Sequence, residues 1–277
     1  MKLIQAVEIT KNYGKKAAVN RVNFEVHSGE IAGLLGQNGA GKSTAFSMVI
    51  GMIKQDHGKV FFRGEDITEM PIYMRARLGI GYLSQEPSIF QRLTVEENVL
   101  AVLETIKFNY RERIKKLNHV LGELGLTHLS KKMAFTLSGG ERRRLEISRA
   151  LATSPSLILL DEPFSFIDPI AVAEIQDIVL GLKETGIGIL LTDHNVREAL
   201  SITDHSYIMS AGNIITSGTT ETLLDDPLAR KSYFGEKFLS SDIRAKSSFN
   251  TYESNGNRGD SSKDEKKGSQ DKSLNQS

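Results

Sequence analysis

The sequence predicts an α/β protein built on a parallel sheet, and three observations predict it. Residues 31–35 are an apolar run that breaks into Gly36-Gln37-Asn38-Gly39-Ala40-Gly41-Lys42-Ser43-Thr44 and resumes as the helix-like Ala45-Phe46-Ser47-Met48-Val49-Ile50. Leu157-Ile158-Leu159-Leu160 and Gly188-Ile189-Leu190-Leu191-Thr192 are near-continuous apolar runs, the pattern of strands covered on both faces. Residues 88–135 change character and carry helical spacing in place of strand alternation.

Taken in order, residues 3–9 and 22–26 alternate as strands, and Lys11-Asn12-Tyr13-Gly14 between them reads as a turn with one aromatic. Residues 58–64 read as a short strand bounded by glycines, followed by a polar turn at Glu65-Asp66. Pro71 fits the first turn of a helix to about Leu78, and residues 79–83 return to a strand ending in Ser84-Gln85-Glu86-Pro87. Thr94-Val95-Glu96-Glu97 forms a capping box for a helix with Val95, Val99, Leu100 and Leu103 on one face. Ile114, Leu117, Val120, Leu121 and Leu124 make a second amphipathic stretch, and residues 140–153 a third helix. Residues 169–183 and 196–201 are helical, and Ala211-Gly212 sits between strands 206–209 and 213–217 as a hairpin turn. Residues 223–234 close the folded part with helical character. From about Ser240 the chain is Ser, Asn, Lys, Asp and Gly with scarcely an aliphatic, which predicts a disordered polar tail over 240–277.

Composition narrows the function classes. The 277 residues carry 35 Lys plus Arg against 34 Asp plus Glu, a formal charge of +1, so charge gives no reason to expect nucleic acid as a partner. The absence of cysteine excludes disulfides, thiolate metal sites and cysteine nucleophiles. The N-terminus alternates like a strand and lacks a signal-peptide core, and no window has the apolar length of a membrane span. A soluble, cytoplasmic chain is expected, with any membrane spans supplied by other subunits.

The glycine-rich stretch carries the chemistry. A strand turning through glycines into a helix leaves several amides aimed at one point, and the helix dipole adds to their attraction for phosphate. Gly36, Gly39 and Gly41 permit the turn, with Gln37, Asn38, Ala40 and Thr44 completing the loop. Lys42 supplies a cation for the β- and γ-phosphates, and the Ser43 hydroxyl can ligate Mg²⁺. The spacing predicts a nucleoside triphosphate site. Asp161-Glu162 ends the apolar run 157–160, at the strand edge where open α/β sheets bind ligands. Asp161 can hold Mg²⁺, and Glu162 can orient or deprotonate an attacking water. Leu137-Ser138-Gly139-Gly140-Glu141 reads by itself as a capped helix start.

The order of these three motifs resembles the ATP-binding-cassette (ABC) ATPase family, from about residue 3 to residue 239. The resemblance implies a P-loop NTPase core with an antiparallel β subdomain and a helical subdomain at about 88–153. It makes Ser138, Gly139 and Gly140 the signature that closes over ATP held by a second copy, hence a homodimer when ATP is bound. It casts Tyr13 as the aromatic stacking on adenine, Gln85 as a ligand of the metal and the attacking water, and His194 as the γ-phosphate contact. Asp168 becomes the aspartate of the loop crossing the dimer interface, although Phe164-Ser165-Phe166-Ile167 replaces the family's usual small residues before it. ATP and Mg²⁺ are the implied cofactors.

Within that family the chain looks like the ATPase subunit of lipopolysaccharide-export transporters. The likeness rests on residues 79–83, Pro87-Ser88-Ile89-Phe90-Gln91-Arg92-Leu93, Asp161-Glu162-Pro163-Phe164, Asp193-His194-Asn195 and residues 233–239. It implies ATP hydrolysis on the cytoplasmic face of an inner membrane, driving two membrane-spanning partners. Phe90 and Arg92 would then contact a partner helix, or Phe90 would be ordinary core of the helical insertion. Two other readings stay open: the ATPase subunit of a branched-chain amino-acid importer, and an ATP-gated clamp outside transport.

Overall fold

In the computed structural model, residues 1–165 and 167–234 are described, so the tail at 240–277 lies outside the described residues. The chain begins with two long strands, β1 (Lys2–Tyr13) and β2 (Lys16–His27), and a buried third, β3 (Ile31–Gly36). Helix α1 (Lys42–Ile50) precedes β4 (His57–Phe62), β5 (Glu65–Asp66), α2 (Ile72–Arg77) and β6 (Ile80–Leu83). Three helices follow, α3 (Val95–Leu103), α4 (Tyr110–Glu123) and α5 (Gly139–Ala152). Then come β7 (Leu157–Asp161), α6 (Pro169–Glu184), β8 (Gly188–Thr192), α7 (Val196–Leu200), β9 (His205–Ser210), β10 (Asn213–Gly218) and α8 (Thr220–Asp225).

Two sheets result. The larger runs β10-β9-β3-β8-β7-β6, with β9, β3, β8, β7 and β6 parallel and β10 antiparallel at one edge. The smaller is an antiparallel β2-β1-β4-β5. The predicted α/β class and the antiparallel part are both present. Helix α1 lies in the core that joins them: Phe46, Met48 and Val49 pack in one cluster with Ile4, Ile9, Phe24 and Val60 of the small sheet and Leu34, Leu159 and Leu190 of the large one. A helix with apolar neighbours on every side needs no amphipathic stripe, and Ala45-Phe46-Ser47-Met48-Val49-Ile50 has none to show.

Four local expectations are corrected. Lys11–Tyr13 continue β1, because Asn12 and Tyr13 pair with Ala17 and Lys16 while Asp56 holds the Asn12 amide and the Lys11 ammonium. Glu65-Asp66 is a strand paired to Phe62 and Phe61; the turn lies one step earlier, at Arg63-Gly64, where both residues are left-handed (φ 51° and 87°). Pro71 stands outside α2 as its extended N-cap (ψ 159°). The helix expected over 223–234 is interrupted at Asp226, whose extended backbone before Pro227 ends one helix and whose carboxylate caps the next turn at Leu228 and Ala229. Ala211-Gly212 forms its hairpin as predicted, again with both residues left-handed.

The C-terminus of α1 has an unusual partner. Arg75, 1% exposed, donates to the carbonyls of Met48 (2.9 Å) and Val49 (2.6 Å) in the last turn of α1, and to Thr68 (2.9 Å) and Met70 (2.8 Å). Burial lowers its pKa to about 10, still far above neutral, so the cation persists and serves the negative end of the helix dipole. Arg75→Met is expected to lower the unfolding free energy by about 2–4 kcal/mol, since it removes four hydrogen bonds made by a buried charged donor. Urea unfolding of the purified chain checks this; a loss under about 0.5 kcal/mol, the usual range for a surface change, would show that water replaces the guanidinium freely.

Candidate functional site: a phosphate loop facing a carboxylate cluster

The loop after β3 wraps the N-terminus of α1. No side chain caps that end, and its first turn holds no acid, whereas α3, α4 and α5 each begin with a complete capping box. The amides of the first turn have no intrahelical partners and are left for a ligand. Lys42 is 5% exposed and folds its ammonium back onto the carbonyls of Gly36 (2.7 Å) and Gln37 (3.1 Å), inside the loop. Desolvation lowers its pKa, opposed by Glu162, Asp161 and Asp193. An uncapped helix end with a buried cation fits a polyphosphate.

Glycine is required here by neighbours as well as by backbone angle. A Cβ on Gly41 (φ 105°) would stand 2.4 Å from the Ala18 carbonyl, and one on Gly36 would stand 2.4 Å from the Met209 carbonyl. Those contacts place β2 and the β9–β10 hairpin directly over the loop, and the Gly212 amide donates to Ala40 (2.9 Å) while the Gly212 carbonyl accepts from Asn20 (2.8 Å). The resulting open cavity of ≈ 630 Å³ is lined by Tyr13, Lys16–Ala18, Gln37–Thr44, Glu162 and Met209–Gly212. Tyr13 is 54% exposed at its rim. Lys16, Ala17, Ala18 and the hairpin residues were not among the sequence-predicted candidates; only the pairing of distant strands brings them in.

Five parallel strands, β9, β3, β8, β7 and β6, end on this side. Beyond β6 lies Gln85, beyond β7 Glu162, beyond β8 His194, and their side chains meet. One oxygen of Glu162, Oε2, lies 2.9 Å from Gln85 Nε2, 3.1 Å from His194 Nδ1 and 3.0 Å from the Ser165 hydroxyl. Glu162 takes φ 46°, a left-handed value uncommon for a residue with a side chain, just after its amide completes the β7–β8 ladder on Thr192 (2.9 Å). Ser165 is a partner that the sequence did not single out.

Asp161 accepts a 2.6 Å bond from the Thr192 hydroxyl through Oδ1, and burial raises its pKa. Asp193 is fully buried, accepts amide bonds from Asn195 (2.7 Å) and Phe164 (3.3 Å), and is also shifted up by desolvation. Protonation of either acid therefore favours the fold: that contribution is complete below the ordinary aspartate range and is lost as pH rises through the higher folded values. Both carboxylates act electrostatically on Lys42, opposing the desolvation that lowers its pKa.

The remaining candidates stand elsewhere. Ser138 accepts from the Glu141 amide (3.2 Å) and Glu141 answers at the Ser138 amide (2.8 Å), so the serine caps α5 and does not line the cavity. Gly139 and Gly140 begin that helix, and Asp168 caps α6 at Ile170 (3.1 Å) and Ala171 (3.0 Å). Phe90 is 48% exposed and stacks under the Arg149 guanidinium at 4.7 Å, so it is not core. Near it, Ile72, Arg75, Tyr82, Ser88, Glu146 and Arg149 help line a groove of ≈ 290 Å³. Arg92 is exposed, before Thr94. No cluster of three or more metal-binding side chains occurs among the described residues. A cation here would have to share its coordination with substrate oxygens, as Mg²⁺ at nucleotide sites does.

Residues 19–165 match the family model described as ABC transporter. An uncharacterized ABC transporter ATP-binding protein of Rhizobium meliloti is 53% identical over 230 residues, 83% of this chain and 85% of that protein. The lipopolysaccharide export system ATP-binding protein LptB of Acidithiobacillus ferridurans is 48% identical, covering 85% of this chain and 98% of its own length. LptB of Escherichia coli is 46% identical over 86% of this chain and 99% of its own. Among solved structures, a nucleotide-free ATP-binding cassette from an ABC transporter superposes with a TM-score of 0.77 at 32% identity, covering 85% of this chain and all (100%) of that one.

Gly41→Ala is expected to cost about 1–3 kcal/mol of stability through backbone strain alone, and to weaken nucleotide binding as the Ala18 strand is pushed off the loop. Paired urea unfolding and nucleotide titration would reveal it; unchanged values in both would mean the close approach carries no constraint.

Proposed function

The chain belongs to the ABC transporter family as an ATP-binding, ATP-hydrolysing subunit, and we propose that its turnover powers lipopolysaccharide extraction and export from the inner membrane. The observation that carries the catalytic part is the Glu162 carboxylate, held by Gln85, His194 and Ser165 at the edge of the phosphate-loop cavity. The cargo follows from the LptB relatives, matched over nearly their whole length.

In this reading the α1 amides and Lys42 hold the phosphates, and Tyr13 at the rim takes the adenine. Ser43, Asp161 and Gln85 would hold Mg²⁺, which neutralises phosphate charge when bound. Glu162 accepts the proton of the attacking water, Gln85 positions that water, and His194 contacts the γ-phosphate. Glu162 suits the role because its other carboxylate oxygen remains for water while Oε2 is tethered. Ser138, Gly139, Gly140 and Asp168 serve the nucleotide of a second copy, so the active form is a homodimer; that none of the four lines the chain's own cavity supports this.

Among the described residues no helix is long and apolar enough to cross a membrane. The chain acts at the cytoplasmic face of the inner membrane through two membrane-spanning subunits. The exposed Phe90–Arg149 stack beside the ≈ 290 Å³ groove, with Arg92 near it, is the surface that receives them.

Glu162→Gln is expected to lower kcat by at least about 10²-fold while retaining ATP affinity and accumulating dimer with ATP in size-exclusion chromatography. A monomer under those conditions would overturn the two-copy site. Affinity purification of that variant with ATP from solubilised membranes should recover two membrane proteins with periplasmic β-rich domains, and Phe90→Ala on the same background should recover far less of them. Amino-acid-importer permeases in the eluate would reassign the cargo, and recovery without any membrane protein would refute the transport coupling.

A further inference from the structure

Helix α5 contains an ion pair, Arg143–Glu146 at 2.9 Å, whose side chains are only 8% and 4% exposed. Burying both charges costs more solvation than an apolar pair of the same size would, and every remaining bond they make goes to main chain flanking Gln85 or just before Glu162. Glu146 Oε1 accepts from the Ser88 amide (2.9 Å). Arg143 donates to the Ser84 carbonyl (3.0 Å) and, with its other terminal nitrogen, to the Asp161 carbonyl (3.4 Å). Arg149, one turn further along the helix, donates to the Ser88 carbonyl.

One pair of side chains therefore grips the loop on both sides of Gln85 and the strand end immediately before Glu162. Gln85 and Glu162 are the two residues whose 2.9 Å contact closes the carboxylate cluster. Ser88, Glu146 and Arg149 also line the ≈ 290 Å³ groove. The same carboxylate is thus part of the groove wall and the anchor of the catalytic loop.

We propose that Arg143 and Glu146 are positioning residues: they set where Gln85 stands against Glu162. A planar guanidinium suits this because it reaches two carbonyls and a carboxylate from one rigid fork, which a lysine ammonium cannot reproduce. The inference rests on the catalytic reading of Gln85 and Glu162 given above.

The test uses the full chain with Arg143→Lys, Glu146→Ala and Glu146→Gln, and with Gln85→Ala as reference. Steady-state ATPase, titration with a fluorescent ATP analogue, and amide hydrogen exchange of peptides spanning 84–90 and 42–50 are read on each. A positioning role gives a kcat loss of about tenfold or more in Arg143→Lys and Glu146→Ala, the scale of a sub-ångström to ångström misplacement. It leaves analogue affinity within about twofold and accelerates exchange only in the 84–90 peptide, most in Glu146→Ala, where the Ser88 amide has lost its acceptor. Glu146→Gln, which still offers that amide an oxygen, restores much of the exchange protection and part of the rate, and stands in if Glu146→Ala does not fold. A rate that falls only with the folded fraction, with both peptides exchanging faster together, would mean a plain core staple and overturn the proposal. Normal kcat in Arg143→Lys and Glu146→Ala with a slow Gln85→Ala would overturn it while sparing the catalytic reading. Normal kcat in Gln85→Ala would remove that reading and the inference with it.

Discussion

The first-turn amides of α1 must stay unpartnered in the folded chain yet keep a fixed direction, and the core around the helix meets both demands. Nine residues of helix are marginal on their own, so α1 owes its existence to being enclosed between an antiparallel and a parallel sheet. Its two ends are treated oppositely. The C-terminus is closed by the Arg75 guanidinium, and the N-terminus is left open with Lys42 tucked beneath it. The orphan donors are therefore a product of tertiary packing, and the phosphate loop is only their visible edge.

The facing half of the site comes from strand order. In the sequence β3-β8-β7-β6, each strand delivers one group at its carboxyl end, and the parallel ladder sets their spacing to that of neighbouring strands. Glu162 then departs from the ladder through a left-handed backbone. A non-glycine residue in that region stores strain of order 1 kcal/mol, and the Thr192 and Ser165 contacts on either side of it hold the conformation in place. Strain of this kind at a candidate catalytic acid is consistent with a side chain aimed by the fold and not by its own preference.

Much of this was legible in the sequence because its signals are local. The glycine spacing, the near-continuous apolar strands 157–160 and 188–192 and the Thr94–Glu97 capping box each depend on residues a few positions apart, and each appears as expected. The misreadings were also local in origin: Lys11-Asn12-Tyr13 has turn-like composition, but pairing with β2 and the Asp56 carboxylate, 44 residues away from Asn12, keep it extended. What could not be read was assembled at long range. Met209–Gly212 and Lys16–Ala18 enter the cavity through strand register, and Tyr233 reaches the Asp193 carbonyl (3.3 Å) across 40 residues. Ser165, three residues from Glu162, was near enough to find; its cue was hidden because a serine in an apolar-flanked turn has many ordinary roles.

The chemistry of the Arg75 anchor has a consequence for the conditions the protein can tolerate. Its acceptors are carbonyl dipoles inside the core, beyond the reach of mobile ions, so dissolved salt has little to screen there. The pairs on the neighbouring small-sheet surface are of the other kind: Lys54–Glu69 has side chains 72% and 70% exposed, and Lys59–Asp66 62% and 40%. A rise in ionic strength, such as a cell meets under osmotic stress, weakens these surface pairs first and leaves the nucleotide helix moored. The fold thus keeps its energy-converting element electrically insulated and spends its salt-sensitive bonds at the periphery.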